Sequence, residues 1–316
     1  MKIDPFMVNL EHKPRFIHIT GGRGRLATIV ALHLRSLGFS VNLFSRTPGL
    51  GFYPLSQLLE DYFVGSCDTI LHMGWSTLPV TSEANPGIEY VHDLPLLVRL
   101  LDKISSSNAK YKPHLIFFSS GGAVYGNALK IPSSEKDECS PIGAYGRAKL
   151  KAERLIDIAN ATPSYSCAIL RISNPYGFLG DLARPQGLVN KAIACSLTKE
   201  ELVVWGDGTA RKDYLYESDF LSALVKVIQY RLEGVFNLCF GHSISVDEVL
   251  QNIESCTGRK VIRRYTTAPE WDVQNSLLDG RSLSNAIDWS PNVPFSEGVR
   301  LLTERFVLNF DNTRQA

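Results

Sequence analysis

The chain has 316 residues, of which 44% are hydrophobic and 21% charged, and a formal net charge of +1. That is room for one large α/β domain with a smaller partner, and the balanced charge gives no electrostatic case for a nucleic acid or an acidic membrane surface as partner. Six scattered cysteines (Cys67, Cys139, Cys167, Cys195, Cys239 and Cys256) form no CxxC pair, which argues against a metal site or a disulfide framework.

Residues 1–15 carry charges throughout and lack the apolar core of a signal peptide, and no apolar run reaches membrane-spanning length. A cytoplasmic location is expected from these features. Residues 16–20 (FIHIT) read as a strand, and 26–37 place apolar residues at helical spacing, with Gly38 as a stop before a second strand at 41–45. Buried strands are expected at 68–73 (DTILHM) and 114–119 (HLIFFS), with an apolar helical stretch around 91–104 between them. A helix at 144–159 and a strand at 166–172 follow. Alternating strands and helices imply a parallel, doubly wound α/β sheet of Rossmann type with right-handed crossovers.

After about residue 173 the pattern loosens into Pro- and Gly-rich loops and shorter elements, read as a smaller C-terminal substrate-binding domain. Residues 214–230 read as a return to the main sheet, so the two domains interleave. The expected division is 14–175 with about 214–240 for the dinucleotide domain, and 176–213 with 241–316 for the other.

The Gly-rich turn T-G-G-R-G-R-L-A (20–27) lies between the first strand and the first helix. Gly21 permits the tight turn, Gly24 lets a diphosphate approach the backbone, and the small Ala27 lets the helix pack closely on the sheet. The helix start at Arg25 and Leu26 then offers backbone N–H groups and a partial positive charge to phosphates. Ser45-Arg46 stands at the end of the second strand, where binding of NAD usually uses a carboxylate. With Arg23 nearby, a hydroxyl and two guanidiniums favour NADP over NAD, because they suit a 2′-phosphate.

Tyr145 and Lys149 are four residues apart within the expected helix and so share a face one turn apart. A lysine ammonium beside a phenol stabilises the phenolate, so such a tyrosine can take a proton from a sugar hydroxyl or return one to a carbonyl. The pair follows the strand ending Ser119-Ser120, and the C-terminal end of a parallel strand is where open α/β sheets bind ligands. Ser120 is the preferred partner for the reacting oxygen, with Ser119 left open. His72 reads as a packing residue near the cofactor, and Trp75 as a candidate border of the site.

Taken together, TGGRGRLA, DTILHMG, SSGGAVYG, YGRAK, LRISNPYG, WGDGTARKDY and DGRSLSNAIDWSP resemble the extended short-chain dehydrogenase/reductase superfamily, in its NAD-dependent epimerase/dehydratase branch. Within it the chain is most similar to nucleotide-sugar 4-epimerases of the UDP-glucose 4-epimerase type. The resemblance implies proton transfer by Tyr145, a grip on the nicotinamide ribose by Lys149, and cofactor contacts at Met73 and Gly74. It further implies contact of Asn174, Arg211 and Lys212 with a nucleotide-activated sugar, and a homodimer packed through two helices of the main domain.

Three departures qualify the resemblance. Gly121 stands where the family often has its catalytic Ser or Thr, and Ser120 takes that part. Gly122 and Ala123 replace the Asp-Glu pair of sugar 4,6-dehydratases, which argues against dehydration. Lys212 replaces an arginine, and Pro269-Glu270-Trp271 occupy the place of a second phosphate-binding arginine. The short stretch before His72 resembles nucleotide-sugar 4-keto reductases, so an NADPH-dependent 4-keto reductase is the alternative reading. A non-catalytic dinucleotide-binding protein is a third, but such proteins typically lose the Tyr or the Lys.

Overall fold

The computed structural model describes residues 16–107, 112–161, 166–179 and 185–315. The charged segment 1–15, including the first two residues of the expected dinucleotide domain, lies outside the described residues. In chain order the first part runs β1 (Phe16–Thr20), α1 (Arg25–Ser36), β2 (Ser40–Ser45), β3 (Tyr53–Pro54), α2 (Asp61–Ser66), β4 (Thr69–His72), α3 (Pro79–Ala84) and α4 (Ile88–Ser106). It continues with β5 (His114–Ser120), α5 (Gly121–Val124), α6 (Ala144–Asn160) and β6 (Cys167–Ile172). Then come β7 (Asn174–Tyr176), α7 (Leu188–Thr198), β8 (Leu202–Trp205), β9 (Arg211–Tyr216), α8 (Glu217–Tyr230) and β10 (Gly234–Leu238). The last elements are β11 (Ser243–Ser245), α9 (Val246–Thr257), β12 (Arg263–Thr266), β13 (Asn275–Ser276), α10 (Arg281–Ile287) and α11 (Phe295–Gln315).

The main sheet has seven strands in the order β10-β6-β5-β4-β1-β2-β3, all pairs parallel. Its strands are apolar on both faces because helices cover both. Val30, Ala31 and Leu34 of α1 pack on one side with Phe220, Leu224 and Val227 of α8. Leu97, Leu100 and Ile104 of α4 and Ala152 and Ile156 of α6 pack on the other. Each fully buried Leu, Ile or Phe contributes about 1.5–3 kcal/mol. Helix α4 continues through Pro95, which lies on its exposed face, where the Val91 carbonyl that loses its partner is open to solvent. Gly38, at φ +88°, ends α1 as expected from the sequence.

The second domain is built on a small sheet in which β9 pairs with β7, β11 and β13, beside a parallel β8–β12 pair. Its core joins Val189 and Ile193 of α7, Val249 and Ile253 of α9, and Val299 and Leu302 of α11. The chain weaves between the layers more often than the division at residue 240 allows. Residues 211–216 form β9 of the small sheet, and the chain re-enters the main layer only with α8 and β10. It returns once more with α10, where Leu283, Ile287 and Trp289 join the main-sheet core. Among the described residues, no helix is long and apolar enough to cross a membrane.

Candidate active site

The strand order reverses between β1 and β4, which opens a crevice at their carboxyl ends. The two turns leaving these strands touch there. Gly21 has φ +71°, and a Cβ on it would lie 2.6 Å from the Gly74 Cα, so only glycine fits. Thr20 Oγ1 accepts the Gly74 N–H at 2.8 Å and lies 3.0 Å from His72 Nδ1. Burial, reinforced by the Lys149 charge, pushes His72 down to about 3. His72 is thus a strut between the two turns, stacked on Phe117.

Helix α1 starts from Gly24, which is exposed and makes no side-chain cap, and the first turn carries no acidic residue. A Cβ on Gly24 would meet only the Gly21 carbonyl, at 3.0 Å. The positive end of the helix, bordered by Arg25 and Leu26, is open to an anion, so the turn fits a dinucleotide diphosphate. Ala27 is buried beneath it. At the end of β2, Ser45 Oγ accepts the Thr47 N–H at 3.2 Å. Arg46 donates to Ser76 Oγ at 2.9 Å, while Arg23 donates to the Thr47 carbonyl at 2.9 Å and lies over the Phe52 ring. Two guanidiniums bracket the strand end.

Tyr145 and Lys149 lie in the first two turns of α6, against the same crevice. Lys149 is buried; its Nζ donates to the Phe118 carbonyl at 2.8 Å and sits 3.8 Å from the Trp75 ring centroid. Phe117 and Tyr145 close the cage, their ring centroids at 5.0 and 5.7 Å. Burial pulls the ammonium down to about 7, opposed by Asp93, Glu153 and Glu89. Tyr145 is pushed well above the ordinary phenol value, by burial first and then by Glu89 and Asp93. The charges that act on the phenol are therefore the two carboxylates, which raise it, in place of the lowering expected from Lys149. Glu89 and Asp93 sit one turn apart at the buried start of α4. They were missed in the sequence because they read as polar interruptions, yet with Leu97, Leu100 and Ile104 they continue one helical stripe.

The two serines part company. Ser119 is buried and its Oγ donates to Glu153, which is in turn paired with Arg171 at 2.7 Å. Arg171 also donates to the Tyr125 hydroxyl, and Tyr125 to Asn237 Oδ1. Ser119 thus belongs to a structural network tying β5 to α6, β6 and β10. Ser120 is half-buried at the start of α5, and its side chain caps no N–H of that helix. Gly146 lets α6 lie on α5, since a Cβ there would be 2.7 Å from the Ala123 carbonyl. A Cβ on Gly122 would be 3.5 Å from Asn174 Nδ2, which donates to the Asp213 carbonyl at 2.9 Å. The fold therefore brings Asn174 and the first turn of α6, which carries Tyr145, against α5, with Ser120 at its start.

The cap-side cations are engaged. Lys212 Nζ lies 3.2 Å from Asp272 Oδ1 and also donates to the Val273 carbonyl. Arg211, on the opposite face of β9, is held by the Ser243 carbonyl and by Glu248 at 3.0 Å. Both side chains expected at the sugar are thus paired within the protein. Trp205, before the Gly206–Gly208 turn, meets Trp271 edge-on at 5.1 Å, and Trp271 Cβ would be 3.5 Å from a Cβ on Gly143. These two tryptophans, which show no pattern in the sequence, join the second domain to the start of α6.

A parallel sheet with a Gly-rich turn at its switch point defines a dinucleotide-binding protein of the Rossmann class. Residues 17–239 match the NAD dependent epimerase/dehydratase family. The chain belongs to this family of enzymes, within the extended short-chain dehydrogenase/reductase superfamily, and uses a nicotinamide dinucleotide. It is 29% identical over 186 residues to a putative UDP-glucose 4-epimerase of Methanocaldococcus jannaschii, matching 59% of this chain and 60% of that one. It is 26% identical to a UDP-glucose 4-epimerase of Halalkalibacterium halodurans, over 89% of this chain and 92% of the other. A dTDP-4-dehydro-6-deoxyglucose reductase of Escherichia coli is 25% identical, over 73% and 72%. Among solved structures, MoeE5 in complex with UDP-glucose and NAD superposes with a TM-score of 0.80 at 26% identity, over 92% of this chain and 99% of that one.

Proposed function

We propose that the chain is a nucleotide-sugar 4-epimerase. The observation that carries this reading is Tyr145 and Lys149 on one face of α6, with Ser120 at the carboxyl end of β5 making no side-chain cap bond among the described residues. Tyr145 takes the proton of the sugar C4 hydroxyl as hydride leaves that carbon, and returns it to the ketone after the sugar has turned over. Ser120 donates a hydrogen bond to the same oxygen and holds it in line. Lys149 anchors the ribose next to the ring and keeps a positive charge near the phenol. A nicotinamide dinucleotide held in the crevice would supply the hydride acceptor and donor. Gly21, Gly24, Arg25, Leu26, Met73 and Gly74 hold the dinucleotide, and Asn174 and Lys212 face the substrate, Lys212 by exchanging its Asp272 partner.

Arg23, Ser45 and Arg46 favour NADP over NAD, since no carboxylate stands at the end of β2. A homodimer fits the exposed Tyr90, Val91 and Val98 on α4 and Ile158 on α6, apolar side chains that a partner's helices would cover. The reductase reading draws on the same guanidiniums, because a 2′-phosphate cofactor serves reductions. Denaturing the purified protein and identifying any released dinucleotide separates the two. Near-stoichiometric retained NAD or NADP supports the epimerase. An empty protein that consumes NADPH with nucleotide 4-keto sugars makes it a reductase.

A further inference from the structure

Helix α4 brings two buried carboxylates, Glu89 and Asp93, to the site, and their local hydrogen bonds supply neither with a positive charge. Asp93 Oδ2 accepts the Ser76 N–H at 3.0 Å and Oδ1 the Ser76 hydroxyl at 2.8 Å, so Ser76 engages both oxygens without supplying a charge. Glu89 is 1% exposed; its Oε1 accepts from Thr77, and its Oε2 is buried with no partner among the described residues. A buried carboxylate costs several kcal/mol unless a positive charge faces it. Arg46, exposed and bonded to Ser76, faces Asp93 from the solvent side. Next to Ser76 in the chain, the Trp75 ring carries the buried Lys149 Nζ at 3.8 Å from its centroid, which brings that ammonium to the same turn.

We propose that Asp93 and Glu89 are positioning residues of the hydride-transfer site, a carboxylate pair that keeps the Lys149 ammonium charged and seated between Trp75 and the Phe118 carbonyl. The Arg46–Ser76–Asp93 chain then fixes this pair from the end of β2. The proposal rests on the reading of Tyr145 and Lys149 as the proton-transfer pair. The other groups facing Lys149 are His72 from β4, held neutral, and Tyr145 and Glu153 from α6, with Glu153 already paired to Arg171. Glu89 and Asp93 also hold the Tyr145 proton on. Removing one negative charge therefore lets both the ammonium and the phenol lose their protons at lower pH, and the two effects share a sign.

The test follows the Lys149 ε-carbon resonance through a pH titration of the cofactor-free, full-length protein labelled at lysine, with Lys149→Arg identifying the signal. Asp93→Asn and Glu89→Gln each lower the Lys149 midpoint by about one pH unit, and Asp93→Glu restores it. In the active enzyme both limbs of the kcat/KM profile move to lower pH in Asp93→Asn, which a purely structural lesion would not produce. A folded variant whose Lys149 midpoint stays put or rises overturns the proposal. If Asp93→Asn fails to fold, Glu89→Gln decides it, since its amide still accepts the Thr77 bond. The titration needs no turnover. Failure to process any nucleotide sugar, with the midpoint shifting as stated, counts against the function and not against the carboxylate pair.

Discussion

Acid should unfold this protein by charging histidines that the fold keeps neutral. His114 is completely buried at the start of β5, and its Nε2 lies 2.8 Å from the Leu232 carbonyl, to which the neutral ring donates. Burial, with Arg231 nearby, holds it down to about 4, and His72 is held down to about 3. The unfolded chain binds these protons near pH 6.5, so each site's stability is complete above that value and is lost as pH falls toward 4. Between pH 8 and pH 5 each histidine withdraws about 2 kcal/mol, with a limiting slope of about 1.4 kcal/mol per pH unit. Urea unfolding of wild type and His114→Gln at pH 8, 6 and 5 measures the difference directly. Carboxylates common to both proteins cancel. The variant should lose stability at pH 8, where its polar amide sits in a cavity shaped for imidazole, and close that gap by about 2 kcal/mol at pH 5. A gap that is the same at both pH values would refute the reasoning.

Tyr145→Phe should lower turnover by about 10²–10⁴-fold while dinucleotide affinity, read by fluorescence titration, stays near wild type. Arg46→Ala should weaken NADPH by about 10- to 100-fold and leave NADH little changed, and equal loss for both would remove the 2′-phosphate assignment. Gly21→Ala forces a side chain into φ +71° against the Gly74 backbone, so it should cost about 2–5 kcal/mol in chemical unfolding and abolish dinucleotide binding.

The sequence by itself determined the layered parallel sheet, the dinucleotide turn and the Tyr145–Lys149 pair. These are local signals: burial on both faces makes β1, β4, β5 and β6 continuous apolar runs, and residues four apart on a helix share a face whatever surrounds them. Expected and observed elements agree to within one or two residues for β1, α1, β2, β4, β5, α6 and β6. Short elements such as β3, α2 and α5 escaped because they are stabilised by neighbours distant in sequence and not by their own periodicity.

Only the tertiary structure decided which serine is engaged elsewhere. Ser119 and Ser120 are adjacent and chemically alike, and the choice was made by Glu153 on α6 and Arg171 on β6, which claim the first. The same holds for Lys212 and Arg211, neighbours on β9 whose partners, Asp272 and Glu248, come from later segments. It holds also for Glu89 and Asp93, ordinary helix residues until α4 packs against α6 and takes their carboxylates out of water. A side chain's charge is written in the sequence. What that charge costs, and which group it acts on, is set by burial and by contacts between segments far apart in the chain.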